Sequence, residues 1–244
     1  MTRREFFQRR IPRYRKDPLL FFKEVTHFEP DPWQREAAVA VSQHRRVAIR
    51  SGQGVGKTAL EANLMWWFIA CFSYPRIVCT APTMQQLDNV LWAEMAKWLD
   101  ASPVLQMMFT WTKTRVYMNG YDRRWFAVPR TATKPESLQG FHEDNMLFVV
   151  DEASGVADPI LDAIGGTLTG ANNRLLYCGN PTKATGGFAE SFQGDGMDWY
   201  CMTVSSRDSP RTSKENIAAL EKKYGKNFQC GARPCGWPAA GRGQ

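Results

Sequence analysis

The sequence predicts an α/β fold, a mainly parallel central sheet flanked by helices with antiparallel additions. Continuous apolar runs of strand length alternate with longer helical patterns: "RVAIR" (46–50), "RIVCTAPT" (76–83), "MLFVV" (146–150), "RLLYC" (174–178) and "DWYCMTVSS" (198–206). Strands of that kind belong to a parallel sheet covered on both faces. A glycine-rich stretch, "SGQGVGKT" (51–58), joins the first of these strands to a helical pattern. "FTWTKTRVYMNGYDRRWFAV" (109–128) alternates apolar and polar residues around Asn119-Gly120, which predicts an antiparallel hairpin added to the sheet.

Taken in chain order, residues 1–16 hold seven basic side chains against the single Glu5, so six of the seven net positive charges sit there. Charge alone leaves two readings open: an arm that neutralises phosphates, or a solvated, partly disordered terminus. Asp31-Pro32 marks a helix start before "WQREAAVAVSQ". From Lys57 to about Phe72 the pattern is helical, and "LMWWFIACF" (64–72) is too short to span a bilayer, so it reads as a buried helix face. Leu87, Leu91, Met95 and Leu99 recur at helical spacing within "MQQLDNVLWAEMAKWLD" (84–100) and form a core stripe.

This divides the chain into a basic N-terminal arm (1–27), one large domain (28–228) and an atypical tail (229–244). The tail, "CGARPCGWPAAGRGQ" after Gln229, contains no acidic residue. Cys71, Cys79, Cys178 and Cys201 lie in apolar runs where a thiol acts as a small hydrophobe. Cys230 and Cys235 lack the second pair or nearby histidine of a zinc site. His27, His44 and His142 are far apart. No apolar core follows the N-terminal charges, so no export signal is expected, and the protein is placed in the cytoplasm of its cell or host.

The glycine-rich stretch departs from G-x-x-x-x-G-K-[ST] only in having Ser51 at the first glycine. A phosphate-binding loop needs inward backbone N–H groups, a lysine for the β and γ phosphates, and a hydroxyl on magnesium. Gly52, Gln53, Gly54, Val55 and Gly56 supply the loop, Lys57 the charge and Thr58 the metal ligand. Ser51 is tolerable at φ < 0 if Gly52 absorbs the tight turn. The strand before and the helix after make this a P-loop, a nucleotide site, and the loop alone says no more. Asp151 and Glu152 end a buried strand, which is unfavourable for two carboxylates without partners. Asp151 is assigned to magnesium and Glu152 to the attacking water. Trp33 can stack on a base and Gln34 can both donate to and accept from the adenine edge.

Together "PWQ" (32–34), "SGQGVGKT", "CTAPT" (79–83), "LQGFH" (138–142), "VVDEAS" (149–154) and "CGNPT" (178–182) resemble the large terminase subunit of tailed bacteriophages, from about residue 28 to about 225. The resemblance implies a P-loop NTPase fold of the RecA/ASCE-like type, with ATP and Mg2+ as ligands, in an ATPase that translocates double-stranded DNA into a procapsid, with a portal protein, a small terminase subunit and further copies of itself in a ring as partners. It matches Gln34 to the adenine-reading glutamine and Lys57, Thr58, Asp151 and Glu152 to the two Walker motifs. Asn180 matches the coupling motif that senses the γ-phosphate. Many members carry an arginine inside the loop, where this chain has Gly52 to Val55 and places Arg50 just before; Arg130 is a candidate arginine finger. A full large terminase continues into a nuclease. The chain ends before that domain, so the tail is expected to come from a truncated or frameshifted reading frame, without nuclease activity. The alternatives are a RecA-like helicase, which needs a second lobe, and an inactive nucleotide-binding remnant.

Overall fold

A computed structural model describes residues 3–131, 142–193, 198–215, 217, 218 and 222. The elements are α1 (Arg3–Lys16), α2 (Pro18–Phe21), α3 (Pro32–Gln43), β1 (Arg46–Ser51), α4 (Lys57–Cys71), β2 (Arg76–Thr80), α5 (Met84–Gln86), a π-helical segment (Leu87–Trp92) and α6 (Ala93–Ala101). They continue with α7 (Pro103–Met108), β3 (Phe109–Trp111), β4 (Val116–Met118), β5 (Phe126–Pro129), β6 (Met146–Val150), α8 (Asp158–Thr167), β7 (Arg174–Gly179), α9 (Gly187–Glu190) and β8 (Tyr200–Val204). The tail 229–244 and most of "LQGFH" lie outside the described residues.

The eight strands form one sheet in the order β3-β4-β5-β2-β6-β7-β1-β8. All pairings from β5 to β8 are parallel, and β3-β4 and β4-β5 are antiparallel. Side chains alternate between the two faces, as the period of a strand requires. Val47, Ile49, Ile77, Cys79, Leu147 and Val149 face a core shared with α1, α3, α4 and α6. Ala48, Val78, Phe148, Val150 and Tyr177 face a second core beneath α8 and α9. Both faces are therefore covered, which is why these strands read as unbroken apolar runs.

Helix α4 is buried on all sides rather than on one face: every residue from Leu60 to Cys71 is buried. Its cover includes α1. Phe7 and Tyr14 are each 1 % exposed and belong to the main core. Trp67 Nε1 donates to Tyr14 O at 2.7 Å and Arg15 Nε to Cys71 O at 2.9 Å. Glu24 accepts from Arg10 at 2.6 Å and from Tyr14 Oη at 2.8 Å. Residues 3–16 are thus a docked helix of the domain, neither a separate arm nor a disordered terminus. The reason is helical spacing: Phe7, Ile11 and Tyr14 share a face against the core, while Arg9, Arg13 and Lys16 are exposed.

The hairpin around Asn119-Gly120 forms as β4 and β5, but residues 119–125 connect them in place of a two-residue turn, and β3 adds a third antiparallel strand. Gly120, at φ 84°, takes the left-handed position within that connection. The stripe of Leu87, Leu91, Met95 and Leu99 is buried. Trp66 Nε1, from α4, donates to Met95 O beside it at 3.0 Å.

Candidate functional site

Strand β1 lies between β7 and β8, and its C-terminal end opens into the glycine loop. Ser51 is the last residue of that strand, opposite Val204 of β8, and its backbone has no positive φ. Gly52 continues the ladder, donating to Val204 O at 3.0 Å. The tight turns are taken by Gly54 (φ 72°) and Gly56 (φ 92°), so the expectation that Gly52 absorbs them is corrected. Serine is accommodated because the chain is still extended there. Val55 is 1 % exposed and anchors the loop in the core, whereas Gln53 and Gly54 are exposed at its crest. Gly56 caps α4, whose first-turn N–H groups and positive dipole end make an anion site.

Lys57 is 8 % exposed. Its Nζ donates to Asn180 Oδ1 at 2.9 Å and to Gly52 O at 3.4 Å, and lies 3.8 Å from Glu152 Oε1. Asn180 and Glu152 follow the adjacent strands β7 and β6, and Lys57 opens α4 at the end of the loop that leaves β1 beside β7, so the sheet brings together three residues far apart in sequence. Thr58 follows in the first turn of α4, half-buried.

Asp151 is 5 % exposed and accepts from Glu152 N at 2.9 Å. Burial, then the neighbouring Glu152 carboxylate, push its pKa up to about 6, against the opposing pull of Lys57 and the Glu152 N–H. Glu152 has φ 48° and ψ 45°, a left-handed conformation unusual for a non-glycine residue. Gly179 explains the close packing nearby: a Cβ there would lie 3.0 Å from Ala153 N. Ser154 Oγ and Thr182 Oγ1 are 2.8 Å apart, and Lys183 N donates to Ser154 Oγ at 3.2 Å. The stretch after the two acids is therefore tied to the "GNPT" turn.

Gln34 is fully buried. Its Oε1 accepts from Asp31 N at 2.7 Å and its Nε2 donates to Gly56 O at 2.8 Å, so its amide links the start of α3 to the loop. Trp33 is partly buried against the core. Arg130 follows β5 and is exposed; three strands separate β5 from β1. That separation is roughly 19 Å at the usual strand spacing, so the sheet does not bring Arg130 to Lys57 of its own chain.

Three features at the site were not anticipated. Glu61, one turn beyond Thr58 on α4, is fully buried with neither carboxylate oxygen hydrogen-bonded. Burial and then Asp151 hold its pKa well above the carboxylate range. A lone acid inside the apolar pattern of α4 was its only sequence signal. The segment after β8 also crosses the loop: Ser206 Oγ donates to Gln53 O at 2.9 Å, and Arg211 packs over Gly56. Nothing in the local sequence marks that approach. The third is the left-handed backbone of Glu152.

The ATPase-domain family model of the phage terminase large subunit gpA matches residues 24–191. A probable terminase large subunit of Enterobacteria phage P7 is 29% identical over 209 residues, covering 79% of this chain and 42% of that protein. The chain thus spans less than half the length of this curated relative. Among solved structures, the large terminase ATPase domain of Thermus phage P74-26 superposes with a TM-score of 0.67 at 16% identity, covering 86% of this chain and 94% of that one. The bacteriophage HK97 large terminase gives 0.68 at 17%, covering 90% and 55%. These likenesses establish the P-loop NTPase fold, and the family match covers more than half of the sequence: the chain belongs to the phage terminase large subunit gpA family and carries its ATPase domain.

Proposed function

We propose that this domain hydrolyses ATP and couples the reaction to translocation of double-stranded DNA into a viral procapsid. The observation that carries the reading is the convergence of Lys57, Glu152 and Asn180 at the mouth of the glycine loop, with Asp151 beside them. The Lys57 ammonium meets the terminal phosphates, the α4 N–H groups cradle them, and Glu152 orients water and accepts its proton. Asn180, hydrogen-bonded to Lys57, senses the terminal phosphate. Gln34 fixes the loop from the adenosine side, with Trp33 next to it.

The residues also fit a divalent cation. Asp151 is a buried carboxyl beside a second carboxylate, an arrangement that a cation relieves. Thr58 and Asp151 would hold magnesium, whose charge neutralises the phosphate oxygens when bound. Arg130, exposed and away from its own loop, is suited to reach the site of a neighbouring subunit in a ring. A portal protein and a small terminase subunit complete the machine, in the cytoplasm of the bacterial host. No helix among the described residues is long and apolar enough to cross a membrane.

Phosphate release from ATP, with and without blunt duplex DNA, tests the reading. We expect turnover stimulated by duplex and reduced about a hundredfold or more in Glu152→Ala. Wild-type turnover no greater than that of the variant would defeat it.

A further inference from the structure

The segment that follows β8 is in contact with the glycine loop at three successive points. Ser206 Oγ donates to Gln53 O at 2.9 Å. A Cβ placed on Gly54 would lie 3.7 Å from Thr212 Oγ1, an atom that is itself buried without a hydrogen-bond partner. A Cβ placed on Gly56 would lie 3.1 Å from Arg211 Cδ and 3.2 Å from its Nε. Glycine at 56 is favoured by its φ of 92°, and a Cβ there would also press on the arginine stem packed against it.

The Arg211 guanidinium is held by Asp31, with Nε 2.7 Å from Oδ2 and Nη2 3.4 Å from Oδ1. Arg211 is 42% exposed in its side chain, and an ion pair so open to water is weak. Its neighbours are Gly56, Gln34 and Asp31, whereas those of Lys57 are Asn180, Glu152 and Gly52. The two cations thus flank the start of α4 with different companions, Lys57 on the hydrolytic side and Arg211 on the side of Gln34.

We propose that Arg211 is a nucleotide-binding residue of its own chain, contacting the phosphate nearest the nucleoside and exchanging Asp31 for it. The proposal rests on the loop being an ATP site. A phosphate offers the planar guanidinium a stronger bidentate partner than an exposed carboxylate. An anion entering beside Gly56 would also meet the Asp31 carboxylate, and Arg211 is the charge that offsets it.

ADP binding, measured by calorimetry with magnesium, separates this role from that of a latch for the segment. Arg211→Ala should weaken ADP about tenfold or more, with Arg211→Lys intermediate. Asp31→Asn keeps a residue that caps α3 and removes the competitor, so it should bind ADP as tightly as wild type or more tightly. Equal weakening by Arg211→Ala and Asp31→Asn would show that only the latch matters, and unchanged ADP affinity in Arg211→Ala would also overturn the proposal. Failure of the wild type itself to bind ADP would instead bring down the ATP-site reading, and this proposal with it.

Discussion

Replacing Glu152 by glycine and, separately, by alanine isolates the backbone conformation at the proposed water-activating residue. Its φ of 48° and ψ of 45° place an L-residue in the left-handed region, which costs roughly 1–2 kcal/mol for any side chain with a Cβ. Alanine keeps that penalty; glycine removes it but loses about 0.5–1 kcal/mol more chain entropy on folding. Both variants lack the 3.8 Å approach to Lys57, so that contribution cancels between them. The glycine variant should therefore be the more stable of the two by about 0.5–1 kcal/mol, the reverse of the usual order in regular structure. For a domain of this size the gap is roughly 1–4 °C in Tm. Urea unfolding of the nucleotide-free protein reads the difference, and phosphate release should fall about a hundredfold or more in both. An alanine variant as stable as glycine, or more so, would refute the claim that the site stores backbone strain.

Trp66 is fully buried and its indole N–H is satisfied by Met95 O, so Trp66→Ala should destabilise the domain by about 3–5 kcal/mol in urea unfolding. Asp151 and Glu61 both have pKa values raised in the fold. An acid raised in this way binds more protons folded than unfolded, so its contribution to stability declines as pH rises from its ordinary range toward its folded pKa. Between pH 4 and about 6 the nucleotide-free Asp151→Asn and Glu61→Gln variants should therefore lose less stability, or gain more, than wild type; identical pH slopes would contradict this. If Asp151 holds magnesium as proposed, binding needs its ionised form, so turnover should fall as pH drops through about 6. Deleting residues 3–16 would uncover Trp67, so DNA contact by α1 is better tested by neutralising exposed Arg9, Arg13 and Lys16 together. If they touch phosphates, the salt dependence of duplex binding should flatten by about 0.9 for each phosphate that is no longer neutralised.

How far the sequence could be read depended on whether a signal was local. Strands β1, β2, β6 and β7 are legible because each is buried on both faces and so carries an unbroken apolar run through its middle, whereas β8, at the sheet edge with Thr203 exposed, is legible from its apolar run alone. The glycine loop was legible because its chemistry is contained in eight consecutive residues, 51–58. Helix α1 is harder to read, because seven basic residues surround Phe7, Ile11 and Tyr14, whose spacing of four and three describes the buried face. Asn119-Gly120 correctly marked a chain reversal, but the residues to Trp125 extend it, with Trp125 Nε1 held by Ile69 O at 2.6 Å. The Arg211 approach to Gly56 was illegible, because it depends on where β8 delivers the chain and on no pattern near residue 211.

The same dependence on tertiary placement explains why Asn180 is more than a residue that closes a strand. It follows Gly179, whose missing side chain lets β7 approach the backbone of Ala153, and it precedes Thr182, whose hydroxyl meets Ser154. Asn180 is thus joined to the stretch after Glu152 from both sides, and through Lys57 to the glycine loop. Closely packed groups of this kind cannot shift singly without opening a void or leaving a polar group unpaired. A terminal phosphate that drew Lys57 Nζ away from Asn180 Oδ1, as the proposed function requires, would therefore disturb the turn, which is bonded to the stretch that follows Glu152. On the proposed assignment, sensing and water activation would be held in one packed unit, with Asn180 as the residue through which the state of the nucleotide would reach the elements beyond β7.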